Sequence, residues 1–212
     1  MRKRFLLTLG LAAVMSLSLV GCGNSSSTDK TTESSKTEAS ATTENTAEEN
    51  TEDTSTSNID GLGDWFEYIG ENSEQILFTI SPKAKNFLND HPEICPVKKV
   101  KNIKKYIDSS IEYKKVEKNQ NKFGDKVMKT PECYVIKAEE SGEGKTTVTE
   151  IQMNDSDYNY YYVIYIGSLD IYKDDTVQVY GVPVGMTSFE NVGGGTTVSL
   201  VMAGSYVQKT SE

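Results

Sequence analysis

Apolar residues change their spacing along this chain, and each change predicts a different kind of element. Phe5 to Val20 form an uncharged, mostly apolar run behind Arg2, Lys3 and Arg4. Residues 24–58 contain no aromatic residue and no Leu, Ile, Val or Met, so no period exists there. Helical spacing begins at Ser81-Pro82, which reads as an N-cap followed by proline at the first helical position. Ala84, Phe87 and Leu88 then fall on one face, and His91-Pro92 ends the helix. Val100, Ile103, Ile107 and Ile111 recur at the same spacing and predict a second helix over Val97–Asp108, with Lys98, Lys101 and Lys105 on its opposite face. Asn119–Asp125 reads as a loop or short turn. From Lys126 the period shortens to two. Tyr134–Ala138, Thr147–Met153, Tyr160–Ile166, Thr176–Val184 and Thr196–Val207 read as strands, divided by turn clusters at Glu139–Lys145 and Asn154–Asp157 and a connector at Leu169–Asp175. Five strands with no long helix between them predict an antiparallel β unit. The fold class expected is mainly β (α+β), with two short helices before the strands.

The apolar run is too short for a membrane span and reads as a secretory signal. Its end, Leu19-Val20-Gly21-Cys22, resembles the lipobox of bacterial lipoproteins. That resemblance implies diacylation of the Cys22 sulfur and cleavage before it; the competing reading is an ordinary secretory signal with a chance cysteine. Residues 24–58 are mostly Ser, Thr and Glu and cannot bury enough apolar area to offset their ordering entropy, so they are expected to form a tether. The organisation expected is a signal over 1–21, anchor and tether over 22–58, a helical lead-in over 59–113 and a β unit over 114–212. The location expected is the extracellular face of the cytoplasmic membrane.

Charge sharpens this division. The chain carries a net charge of −9, yet Lys98 to Lys129 holds eleven lysines against four acids. That basic segment suits an anionic envelope polymer or protein, whereas the acidic balance of the rest disfavours nucleic acid. A solvated face is the simpler reading of the same lysines. Cys95 and Cys133 are two in number, so outside the membrane they could form a disulfide or remain two small apolar residues.

The run YKDDTVQVYGVPVGMTSFENVGGGTT, from Tyr172, resembles the fourth-strand region of OB-fold domains in lipoproteins of Gram-positive bacteria, and Lys122-Phe-Gly-Asp-Lys-Val resembles the lead-in to their first strand. The resemblance covers residues 114–209 and implies a five-stranded antiparallel OB-like barrel. It also implies a ligand face on the second and third strands, bordered by the loops between strands one and two and strands four and five. Alternation places Tyr161 and Tyr165 on one face of the third strand and Tyr160 and Tyr162 on the other, and one set must be core. Tyr161 and Tyr165, with Phe189, Glu190 and Asn191 at the glycine loop, are the candidate ligand-binding residues. Gly167 to Asp175 is too short for the helix many OB-folds place after their third strand, leaving open what closes the barrel.

Catalytic chemistry finds little support. Gly193-Gly194-Gly195 leads into Thr196-Thr197-Val198, a strand, so there is no helix N-terminus to hold a phosphate and no Walker or dinucleotide pattern. A hairpin turn using positive φ is the better reading. His91 is the only histidine. Its spacing to Cys95 and Cys133 is a poor zinc pattern, and Asp155-Ser156-Asp157 lacks the rest of a calcium loop. Asp174 and Asp175 could serve a hydrolase, although adjacent acids in turns are commonly solvated turn formers. No cofactor and no metal are expected. The function expected is a membrane-anchored, non-enzymatic module binding an envelope polymer or protein, with a hydrolase of envelope material as the alternative.

Overall fold

A computed structural model of the protein describes residues 59–191 and 193–210. The expected signal, the lipidation site Cys22 and the tether lie outside the described residues. Among those described, no helix is long and apolar enough to cross a membrane.

Two helices open the fold, α1 (Leu62–Asn72) and α2 (Pro82–Asp90). α2 starts as its sequence requires: the Ser81 side chain accepts a hydrogen bond from the Ala84 N–H at 3.2 Å, and Pro82 needs no donor there. α1 has no side-chain cap of its own. Asn89 of α2 supplies one, its Oδ1 accepting from the Gly63 and Asp64 N–H groups at 2.7 and 3.3 Å. The helices meet so closely at Gly63 that a Cβ there would sit 2.1 Å from the Lys85 carbonyl oxygen. Lys85 in turn bridges Asp64 and Glu67 of α1 at 3.1 and 2.6 Å.

The expected helix over Val97–Asp108 does not form. Two separate 3-10 turns, Val100–Asn102 and Lys104–Tyr106, occupy the segment. Lysines three and four apart repel along a helix, and Val100, Ile103 and Ile107 are poor helix formers, so nothing opposes the break. Ile103 is still buried. A short α3 (Tyr113–Lys118) follows, and a 3-10 turn over Gln120–Lys122 fills the expected loop.

Six strands follow rather than five: β1 (Met128–Lys129), β2 (Cys133–Ser141), β3 (Val148–Asp155), β4 (Tyr160–Ile166), β5 (Thr176–Glu190) and β6 (Thr196–Lys209). They form one mixed sheet. β2, β3 and β4 are an antiparallel meander, and β5 and β6 are a long antiparallel hairpin. β6 lies parallel to β4, which corrects the expectation of antiparallel pairing throughout. β5 also pairs with β2, so the ladders run β5–β2–β3–β4–β6 and back to β5.

Two cores lie against these strands. One joins Val135, Ile151, Met153, Tyr161, Val163, Val177, Val179, Leu200 and Met202 of the sheet with Ile111, Tyr113, Val116 and Phe123. The segment around α3 thus packs with the strands. The other joins Tyr162, Ile164, Val182, Val184, Val201 and Ala203 with Trp65, Phe66, Phe87 and Leu88 of the two helices. Ile76, Phe78 and Ile80 point into this second core while Leu77 and Thr79 point out, making residues 76–80 an extended strap between α1 and α2.

Candidate functional site

The strand alternation places the tyrosines differently from the expectation. Tyr161 is 1% exposed, donates its hydroxyl to Asp155 Oδ2 at 3.1 Å and packs edge-on to Tyr113. Burial raises its hydroxyl pKa, with the Asp155 charge acting in the same direction. Asp155 also accepts from the N–H groups of Asp157 and Asn159 and from the Asn159 side chain, so the Asp155–Asp157 turn is a closed internal network. Tyr161 is therefore a core residue, correcting its placement on a ligand face. Tyr165 is half-buried, and a Cβ at Gly204 would lie 3.2 Å from its ring. Tyr162 is buried as well, on the opposite side of β4, so neither parity of the strand is free.

The open part of the sheet lies on β2, β3 and the start of β4. Register sets three rungs on the outer side: Tyr134–Asn154–Tyr160, then Lys137–Gln152–Tyr162, then Glu139–Glu150–Ile164. In the first rung, Tyr134 is 47% exposed, and Asn154 and Tyr160 are half-buried. With neighbouring strands about 4.8 Å apart, the backbones that carry the two tyrosines stand roughly 10 Å from one another across the asparagine. Tyr134 donates its hydroxyl to the Asp174 carboxylate, which fixes the ring from the β4–β5 connector. Asp174 itself adopts φ of 75°, a conformation aspartate tolerates better than most residues. In the second and third rungs, Lys137 pairs with Glu139 at 2.8 Å, and Tyr162 donates to Glu150 Oε2 at 2.8 Å. Burial holds the Glu150 carboxyl above its ordinary range, against the lowering effect of the tyrosine hydrogen bond, and Glu139 pushes it further up. Ring faces flanking an amide, with carboxyls and an amine beside them, can stack on and hydrogen-bond a hydroxylated chain. Tyr134 stands apart from the dense tyrosines of β4, which are the stronger signal in the sequence. The exposed alternate residues of β2 were the available signal.

The other candidates fall in three separate places. Phe189, Glu190 and Asn191 sit together at the β5–β6 turn and are exposed. Asn191 is committed to the turn: its Oδ1 accepts from the Gly193 and Gly195 N–H groups at 3.1 and 3.0 Å, and its amide donates to Thr197 Oγ1. Gly194 has φ of 77°, so the glycines serve a hairpin as expected. Lys98, Lys101 and Lys105 are exposed on the 3-10 segment and make no ion pair among the described residues. Lys105 Nζ lies 4.5 Å over the Tyr106 ring. Tyr106 hydrogen-bonds His91 Nδ1 at 3.1 Å, which places the sole histidine in an aromatic cluster with Phe87. Cys95 and Cys133 are free thiols buried in different cores, so the disulfide their number allowed is not formed. Burial pushes both thiols up to about 12. Among the described residues, no His, Cys, Asp or Glu side chains group closely enough to hold a metal ion. Asp175 is bound to Lys209 at 2.8 Å and to the Tyr172 N–H, so both members of the Asp174-Asp175 pair have structural partners.

No protein-family model matches the chain, and neither does any curated protein or any solved structure.

Proposed function

We propose that the protein is a lipid-anchored extracellular binding module, held through Cys22 on an acidic spacer, whose folded part is an OB-like barrel that binds a hydroxylated envelope polymer. The returning circuit of ladders, with β4 parallel to β6, supports the barrel reading. The observation that carries the binding reading is the open row Tyr134–Asn154–Tyr160 on the outer side of β2–β4. Two rings flanking an amide suit stacking on a saccharide chain. The exposed Lys98, Lys101 and Lys105 supply a second, electrostatic contact for an anionic polymer such as teichoic acid. Under this reading the protein binds without cleaving, and it takes no cofactor.

The test is a binding isotherm of the full chain, in detergent, on purified peptidoglycan fragments and wall teichoic acid at low and high salt. Changing Tyr134 and Tyr160 together to Ala is expected to weaken saccharide binding at least tenfold, a loss of about 1.4 kcal/mol. Changing the three lysines to Glu is expected to remove only the salt-sensitive part. Release of shorter fragments during the incubation would establish a hydrolase instead. No binding to either polymer at low salt would leave a protein partner as the ligand.

A further inference from the structure

We propose that the outer edge of β5, from Met186 to Glu190, accepts an extended basic peptide of a partner protein as an added strand. This surface shares no residue with the tyrosine row and does not depend on the polymer reading.

Past Gly185, β5 has one ladder partner, β6; β1 reaches only Tyr180 and Gly181, and β2 only Thr176 and Val177. The Asn191 N–H donates to the Gly195 carbonyl, which fixes the alternation of the antiparallel ladder. Thr187 and Phe189 then bond toward β6, and the N–H and C=O groups of Met186, Ser188 and Glu190 face away from it. No hydrogen bond to those outward groups exists among the described residues. Sheet edges of this kind pair with extended chains unless they are masked.

A groove of about 740 Å³ runs beside this edge, lined by Glu71, Leu77, Met186, Ser188 and Val198 among others. Leu77 is 64% and Val198 40% exposed, so alternate side chains of an added strand would find apolar contacts there. The strap carrying Leu77 is already fixed, because Thr187 Oγ1 donates to the Leu77 carbonyl at 2.7 Å. Charge selects the occupant. Glu71 in the groove and Glu190 at the end of the edge are exposed, and neither makes an ion pair among the described residues. A second copy of this chain would bring the same carboxylates to the edge, whereas lysines or arginines on a partner strand would neutralise them.

The experiment uses the full chain in detergent and a blocked octapeptide alternating Val and Lys. Its counterpart alternating Val and Glu, and a Val–Lys peptide N-methylated on one set of alternate amides, serve as probes of charge and of the ladder. Titration followed by fluorescence anisotropy and by backbone amide NMR is expected to show binding of the first peptide, with shifts at 186–190. The acidic and the N-methylated peptides should each bind at least tenfold more weakly. Leu77→Ser, at an exposed position that leaves the fold intact, should weaken the first peptide severalfold, and Glu190→Lys should favour the acidic peptide. Changing Tyr134 and Tyr160 to Ala should leave peptide affinity unchanged. Equal binding of the N-methylated peptide, shifts confined to other surfaces, or no binding at all would overturn the proposal.

Discussion

β4 and β3 are neighbours in one sheet, yet they live in different environments. β4 is covered on both sides: Tyr161 and Val163 face one core, Tyr162 and Ile164 the other. β3 is covered along one side, where Ile151 and Met153 are buried; on the other only Val148 at its start reaches the helix-side core, and Glu150, Gln152 and Asn154 are half-exposed. The letters follow the environment. A strand buried on both faces loses its polar alternate and reads as YYYVIYI; a strand with one open face keeps it and reads as VTEIQMND. Tyrosine is tolerated in the doubly covered strand because each buried hydroxyl has a carboxylate partner, Asp155 on one side and Glu150 on the other.

The largest test of this comparison is whether the two cores are one cooperative unit. Leu88→Ala, in the core shared with the helices, and Leu200→Ala, in the other, are each expected to cost about 2–5 kcal/mol. Calorimetry should show a single transition lowered by either change; separate transitions would mean that the helices form a detachable layer. Asp155→Ala strands the Tyr161 hydroxyl and three amide donors, at an expected cost of about 3 kcal/mol in urea melts. Gly185→Ala should cost about 1–3 kcal/mol, because a Cβ there would lie 2.5 Å from the Thr79 carbonyl oxygen and must push the strap off β5.

Smaller effects separate the open face from the buried one. Burial raises the Glu150 pKa above its ordinary 4.5, so its proton stabilises the fold below that value, and the effect is lost as pH rises through the folded value. Glu150→Gln keeps an acceptor for Tyr162 and removes the charge. It should raise the melting temperature at pH 7 and leave it unchanged near pH 3.5; a loss of stability at pH 7 would show that the charged form is the favoured one. Tyr134→Ala on the open face should change stability by less than about 0.5 kcal/mol in urea melts.

What was legible in the sequence was local. Ser81-Pro82 announced α2, and the three glycines announced a hairpin, because their signals lie within a few residues of the structure they cause. α1 was not legible, since its N-terminal donors are capped by Asn89 and its own start is Gly61 with Gly63. The helix expected over Val97–Asp108 was a true apolar period without the propensity to hold it. The strap at residues 76–80 alternates in burial but not in its letters, because the outward Leu77 is as apolar as the inward Ile76, Phe78 and Ile80. The parallel pairing of β4 with β6 joins Tyr160 to Ser199 and follows from β5 running antiparallel to both β2 and β6, a non-local fact that no window of sequence carries. The candidate ligand face shifted for the same reason: which tyrosines are free depends on where the helices dock.

Asn89 has a mechanical meaning as well. A pull on the chain before residue 59 reaches α1 before any strand, and the first turn of α1 is fastened to α2 by the Asn89 side chain and the Lys85 bridges. These few polar bonds and the buried Trp65 and Phe66 are what hold α1, which has no ladder, so it gives way before a ladder loaded in shear. Under tension α1 should therefore peel first and act as a shock absorber, and pulling single molecules should show a small early yield that Asn89→Ala removes.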